Sequence, residues 1–395
     1  MPADLISVDE ARSRVLAAVR PLPAESVPVA DVLGRLLADD VVSDLELPPF
    51  DSSAMDGFAV VAGAGGELPV VGESRAGRPF GDRMQAGQAV RISTGATVPG
   101  GADAVVPVER VEDLGERVRV PDTTAGAHIR RSGEDVRHGE TLMHAGSELG
   151  PAEIGMLAAL GRSEVACARR PRVAIVATGD ELRPPTEALE HGQIHDSNGP
   201  ALAALATRAG GEILSKSWMP DEPGLTASNL DRISEGADVL CIAGGVSVGP
   251  HDHVKPALLS LGFEELIWGV RLKPGKPFWF GVRDGQYAFG LPGNPVSAMV
   301  TFQLFARPAL RALQGGDPEA TRSSALLDGP IAATPERDQA VRCRLRMGDD
   351  GWHAEPTGPQ GSHVLSSMIG AAALAIVPAS ERDLAPGERV TIELL

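Results

Sequence analysis

Three apolar runs beyond residue 170 constrain the fold more than any other feature. They are Val173-Ala174-Ile175-Val176-Ala177, Asp238-Val239-Leu240-Cys241-Ile242-Ala243 and Tyr287-Ala288-Phe289-Gly290-Leu291. Short continuous apolar runs bounded by turns suit strands buried on both faces. A helix is predicted from about Asn198 to Ala209, closed by Gly210-Gly211, and another from Pro292-Gly293-Asn294-Pro295 to about Leu313. Strands alternating with helices predict a doubly wound, largely parallel αβα domain over residues 169–317.

The rest of the chain reads differently. Ser7-Val8-Asp9-Glu10 is a capping box opening a helix that Pro21 ends, and Pro151 and Gly161 bracket a second helix. Between them, short valine-rich runs such as Ala104-Val105-Val106 and Arg117-Val118-Arg119-Val120 sit among Gly, Pro and Asp turns. The expectation is a discontinuous helical domain, residues 1–44 and 126–168, with a β-rich domain inserted at 45–125. Strict alternation in Val341-Arg342-Cys343-Arg344-Leu345-Arg346, and near alternation in Arg389-Val390-Thr391-Ile392-Glu393-Leu394, predicts a C-terminal β-barrel or sandwich over 318–395. The fold class is therefore α/β multi-domain, and 395 residues exceed what one core usually serves.

Charge and composition narrow the function. A formal charge of −17 gives no long-range attraction for nucleic acid or an anionic membrane, so an anionic ligand needs local positive centres. One tyrosine and four tryptophans argue against a base-stacking surface. Cys167, Cys241 and Cys343 form no CxxC pair, which fits a reducing compartment. No apolar run of membrane-spanning length and no signal peptide are recognised, so a cytoplasmic enzyme is expected.

In open α/β sheets, ligands bind beyond the carboxyl ends of the strands. Three strand ends here carry suitable loops: Thr178-Gly179-Asp180-Glu181, then Gly244-Gly245-Val246-Ser247-Val248-Gly249 followed by Asp252, and Leu291-Pro292-Gly293-Asn294-Pro295-Val296-Ser297. Glycine lets backbone N–H groups approach an anion, and a helix N-terminus adds partial positive charge. A single loop of this kind is more often just a tight turn; three at successive strand ends favour a ligand site.

Lys273-Pro274-Gly275-Lys276-Pro277 is the sharpest local signal. Two solvated surface lysines are the bland alternative. The stiff Pro-Gly-Pro frame lowers the entropy cost of ordering, which favours a preorganised clamp for phosphate or a metal oxyanion. Asp56, Asp180, Glu181, Asp221 and Asp252 could hold Mg²⁺ or act as general acid or base, though singly each is as readily a cap or turn former. His251 and His253 flank Asp252 at a spacing that does not define a metal site. Ser362 and His363 in Gly358-Pro359-Gln360-Gly361-Ser362-His363, and Arg342, could add donors to the same oxyanion.

Taken together, the chain resembles the molybdopterin molybdenumtransferase family, MoeA and the E domain of gephyrin. The matching stretches are Pro48-Pro49-Phe50-Asp51-Ser52-Ser53-Ala54-Met55-Asp56-Gly57, Arg91-Ile92-Ser93-Thr94-Gly95-Ala96, Arg130-Arg131-Ser132-Gly133-Glu134-Asp135, Ala177-Thr178-Gly179-Asp180-Glu181-Leu182, Asp196-Ser197-Asn198, the glycine loop from Gly244, the lysine loop, Leu291 to Ser297, and Gln360-Gly361-Ser362-His363. They run through nearly the whole chain in the family's order.

The resemblance implies four domains, an elongated homodimer and a site shared between subunits. It implies insertion of molybdate into adenylylated molybdopterin with Mg²⁺-dependent release of AMP. Asp56, Asp135, Glu181, Asp221 and Asp252 match functional acids, with Asp221 and Asp252 assigned to Mg²⁺. Lys273, Lys276, Ser297, Arg342 and Ser362 match oxyanion or substrate binders, joined by Thr94, Gly244, Gly245, Ser247 and Asn294. The resemblance also admits a tungstate-inserting homologue, or a peptide-binding scaffold on the same fold.

Overall fold

A computed structural model describes residues 5–246 and 252–395. The chain divides into two compact units. One comprises residues up to Asp39 with Ala145–Ile154 and Glu164–Leu395, and the other comprises Asp40–His144 with Gly155–Ser163.

The second unit is built on a six-stranded sheet in the order Ala104–Pro107, Gly57–Val60, Ala89–Ile92, Gly66–Ser74, Arg117–Val120, Glu112–Asp113. Along Gly57–Val60 the side chains alternate between two cores. Phe58 and Val60 join Val106 and Val118 on one face, and Ala59 joins Val90, Val105 and Met84 on the other. The unit extends beyond the 45–125 expected from sequence. Ile129–Arg130 pairs antiparallel with Ser52–Ser53, and Thr141–Met143 with Val41–Val42, which ties 126–144 to this unit.

Within the first unit, the N-terminal helix α1, Val8–Ala18, is capped by Ser7, whose Oγ accepts from the Glu10 N–H at 3.2 Å. Residues 1–44 and 126–168 were expected to be largely helical. They contain this helix and Pro151–Ala159, while Ala24–Pro28 pairs antiparallel with Glu164–Ala168 as a ribbon. The β-branched Val27 and Val165 face each other there, and valine favours the extended backbone.

The central sheet contains β1 Arg172–Thr178, β2 Glu212–Met219, β3 Val239–Ala243, β4 Glu264–Trp268, β5 Trp279–Arg283 and β6 Gln286–Leu291. Their order is β2-β1-β3-β6-β5-β4, parallel from β2 to β6 with β5 and β4 antiparallel at one edge. Burial on both faces explains the unbroken apolar runs. Val173, Ile175 and Cys241 pack with Leu202 and Ala206 of α2, Asn198–Arg208, and with α5, Pro295–Thr301. On the other face, Ala174, Val176 and Ile242 pack with Leu230 of α3, Pro223–Ser234, and Leu258 of α4, Val254–Ser260. Beyond α5 the helix passes through a π-helical turn, Phe302–Ala306, into α6, Arg307–Leu313.

The C-terminal strands are β7 Arg322–Leu327, β8 Asp338–Gly348, β9 Gly351–Pro356, β10 Ala373–Val377 and β11 Arg389–Leu394. The eleven-residue β8 pairs with β9 through its second half and with β10 through its first, so the ring β8-β9-β7-β11-β10 closes. Closure makes this a five-stranded barrel, around Leu327, Val341, Cys343, Ala375 and Ile392. Leu272–Lys273 pairs in parallel with Asp338 and Gln339 at the start of β8, which anchors the lysine loop to the barrel.

Candidate functional site

The strand order places a topological switch at β1. The chain leaves β1 for β2 on one side and returns to β3 on the other, so the crevice between the carboxyl ends of β1 and β3 is the natural ligand site. A cleft of about 220 Å³ lies there, lined by Thr178, Glu181, Gly244, Gly245, Asp221 and Asp252, together with Gly293 and Pro277. The structure therefore gathers the three glycine-rich strand ends, three of the expected acids and the end of the lysine loop in one place. Ser247 lies outside the described residues, as does His251.

The glycines permit this closeness. Gly244 and Gly245 have φ of +99° and +65°, and a Cβ on Gly244 would stand 2.6 Å from the Thr178 hydroxyl. The loop is pinned by Gly244 N–H donating to Leu291 O at 3.0 Å and Val254 N–H donating to Gly245 O at 3.2 Å. Asn198, whose chemistry was not singled out from sequence, donates from Nδ2 to Gly293 O at 2.8 Å and so fixes the third loop.

Electrostatics disfavour the charge on Asp221. Burial pushes its pKa above the ordinary carboxylate value, and the negative charges of Asp180 and Glu181 push the same way. The Thr178 hydroxyl and His253 oppose them. Asp180 is itself exposed and accepts the Asp221 N–H at 3.1 Å, a turn-holding role. Among the described residues, no group of three or more His, Cys, Asp or Glu could hold a metal by protein ligands alone.

The lysine loop is built tightly. Lys273 and Lys276 are exposed, while Pro274 and Gly275 are buried. Gly275 has φ of +126°, and a Cβ there would meet Thr301 Cγ2 at 2.7 Å and Leu272 Cδ2 at 2.9 Å. Glycine thus lets the loop lie against the helix that begins at Pro295. At that helix start, Asn294 Nδ2 donates to Ser362 Oγ at 3.1 Å and Val296 N–H donates to Ser362 O at 3.3 Å. Ser297 lies buried in the first turn.

Arg342 departs from the expectation of an oxyanion contact. It is fully buried on β8, on the face opposite the barrel core that its neighbours Val341 and Cys343 enter, beneath the loop of residues 359–361. Its Nε donates to Ser367 Oγ at 3.1 Å, Nη1 to Gln360 O at 3.2 Å, and Nη2 to Pro359 O at 3.3 Å and Gly361 O at 3.2 Å. The guanidinium therefore braces the loop that carries Ser362, and sequence alternation alone could not say which acceptors it meets.

In the second unit, Asp56 and Thr94 come together: Asp56 Oδ1 accepts the Thr94 N–H at 2.7 Å. Asp135 is exposed on a turn, its N–H donating to Leu47 O at 2.9 Å. A pair not singled out from sequence lies in the same unit. Asp51 accepts from Ser132 N–H at 2.9 Å and from Arg131 at 2.6 Å, and these bonds hold its carboxyl below the usual range. The signal was present as an acidic and a basic motif, but eighty residues of sequence separate the partners.

A doubly wound α/β unit with a glycine-lined switch-point cleft, beside a lysine loop anchored to a small barrel, defines an enzyme-like small-molecule site. Comparison with known proteins names the family. Residues 6–161 match the MoeA N-terminal region (domain I and II), 174–312 a probable molybdopterin binding domain, and 324–395 the MoeA C-terminal region (domain IV). Molybdopterin molybdenumtransferase of Haemophilus influenzae is 34% identical, with 98% of each chain covered. Molybdopterin molybdenumtransferase 2 of Mycobacterium tuberculosis is 37% identical, with 96% of each covered. The crystal structure of the molybdopterin biosynthesis MoeA protein from Pyrococcus horikosii superposes with a TM-score of 0.85 at 30% identity, over 99% of each chain. The chain belongs to the molybdopterin molybdenumtransferase (MoeA) family.

Proposed function

We propose that the protein is the molybdenum-inserting transferase of molybdenum cofactor biosynthesis, joining molybdate to adenylylated molybdopterin and releasing AMP. The observation that carries the reading is the single cleft bringing Asp221 and Asp252 against the glycine loops and the end of the lysine loop. Family membership supports the substrate class; the cleft supports the division of labour.

Lys273 and Lys276 attract molybdate, a tetrahedral oxyanion, as point charges in a protein of net negative charge. Asn294 and Ser362 offer polar donors from the neighbouring helix start, and Ser297 stands one turn further in. Arg342 acts by holding the Ser362 loop rather than by touching the oxyanion. Gly244 and Gly245 admit the phosphate end of the pterin substrate, and Glu181 and Asp221 flank it. Asp252 is assigned to orient the attack on the phosphoanhydride that frees AMP.

The acids fit Mg²⁺ as that ion is commonly held, by one or two carboxylates together with substrate phosphates rather than by an all-protein cage. Asp221 and Asp252 would hold it, and it would supply charge neutralisation across the anhydride. A homodimer in which Asp56, Thr94 and Asp135 complete the site across subunits belongs to the same proposal and rests on the family resemblance.

The test is a purified assay with adenylylated molybdopterin and molybdate, following AMP and molybdenum incorporation. Wild type should release AMP with cofactor formation. Lys276→Ala should stay folded and bind molybdate about 10-fold or more weakly, since a charged hydrogen bond contributes about 1.5–3 kcal/mol. Unchanged molybdate affinity in that variant would remove the clamp from the mechanism.

A further inference from the structure

A second cavity, of about 300 Å³, lies far from the reaction cleft and has no part in the chemistry above. Its polar side is formed by Arg307 and Arg311, one helical turn apart on α6, with Arg208 from the end of α2 and Gln303 from the π-helical turn, and the Glu148 carboxylate, Thr321 and Leu395 also line it. Its apolar side is Leu205, Ala209, Ala320 and Leu394. The helix that starts at the cleft with Pro295 reaches Arg307 and Arg311 twelve and sixteen residues later, about 18–24 Å away at 1.5 Å per residue. The cavity therefore sits toward the opposite end of the sheet.

The arginines are incompletely paired. Arg208 Nη2 donates to Leu395 O at 2.7 Å, and Arg311 Nη1 meets Glu148 Oε2 at 3.0 Å. Glu393, the other nearby acid, is taken up by Arg12 and by the Thr321 hydroxyl at 3.1 Å. Arg307 Nη1 and Arg311 Nε are buried with no acceptor among the described residues. Burial holds the Arg307 pKa below its ordinary value; Glu393 offsets this, while the like charges of Arg311, Arg12 and Arg208 add to it. Buried cationic donors without acceptors are costly, and they are worth keeping where an anion satisfies them. Planar guanidinium forks suit phosphate oxygens.

We propose that this cavity is a second anion site, separate from the reaction cleft, that binds a small phosphate-bearing ligand through Arg307 and Arg311 with Arg208 at its rim. Its size admits a small metabolite, and the leucine side favours a ligand with a short apolar or planar body beside the phosphate.

The test uses the full-length protein carrying Lys276→Ala, which silences the lysine clamp, and isothermal titration with inorganic phosphate and with AMP. Binding should persist in that background and weaken at least about 10-fold on adding Arg307→Met, while Arg307→Lys keeps part of it. A preference for AMP over phosphate in the part of the binding that Arg307→Met removes identifies a nucleotide phosphate as the occupant; equal affinity in that part identifies free phosphate. Arg307→Met alone should melt no lower than wild type in phosphate-free buffer and should release AMP at the wild-type rate. Phosphate and AMP affinities unchanged by Arg307→Met would overturn the proposal. So would an Arg307→Met variant that melts lower without phosphate and dissociates in sedimentation, because Arg307 would then serve a subunit contact.

Discussion

Replacing Arg342 by methionine separates a brace from an oxyanion ligand. The substitution keeps much of the side chain's length and removes four hydrogen bonds of 3.1–3.3 Å, three to the carbonyls of residues 359–361 and one to Ser367. Hydrogen bonds from a charged donor contribute about 1.5–3 kcal/mol each at good geometry. These are long, the buried guanidinium has a desolvation cost that holds its pKa down, and the loop carbonyls can turn to water. A net loss of about 2–4 kcal/mol follows, which is visible as a lower denaturation midpoint. With the loop released, Ser362 leaves Asn294, and molybdate affinity should fall with stability. Arg342→Lys, which keeps the charge but lacks the fork, should lose nearly as much of both. Urea melts beside molybdate titration read the two effects. Strong loss of molybdate binding with an unchanged melt would refute the brace and restore a direct contact.

Two further perturbations follow from the same geometry. Asp221 is charged at a place where burial, Asp180 and Glu181 disfavour the charge, so Asp221→Asn in metal-free buffer at neutral pH should melt higher than wild type while losing AMP release; a lower melting temperature would contradict that electrostatic reading. His353 is held above its usual pKa by Asp350 at 2.6 Å and Asp328 at 2.8 Å, so its stabilising effect is complete below the unfolded-state value of 6.5 and is lost as pH rises through the raised folded value. His353→Gln should therefore be less stable than wild type in mildly acidic buffer and equal to it at high pH, and a gap that ignores pH would assign the effect to packing.

The αβα layer was legible because both-face burial writes itself as unbroken apolar strings, and residues 173–177 and 239–243 carry it plainly. The strand-end loops were legible for the same reason, since each string is followed within two residues by glycine. Barrel and sandwich could not be told apart, because the choice depends on one long strand, β8, pairing on both edges along different halves. The ribbon Ala24–Pro28 with Glu164–Ala168 was invisible, since its partners lie more than a hundred residues apart and neither alternates strongly. Within the site, residue types were readable and orientations were not. Arg342 looked like a free cation in an alternating strand, yet the loop of residues 359–361 covers it on the face opposite the barrel core. Asn198 acts by holding a loop, which leaves no mark in sequence beyond a polar residue at a helix start.

The most direct test of the central claim is single-turnover AMP release by Asp252→Asn, measured beside its thermal melt. Asp252 lines the cleft in which we propose that the phosphoanhydride binds, and both of its proposed roles, orienting the attack and holding Mg²⁺, require its negative charge. The substitution keeps the shape of the side chain and removes that charge. The account predicts a normal melt, retained binding of adenylylated molybdopterin, and AMP release slowed by about 100-fold or more, the scale of a lost acid–base or metal-positioning group. A variant that melts lower yet releases AMP at the wild-type rate would make Asp252 a turn former and contradict the account.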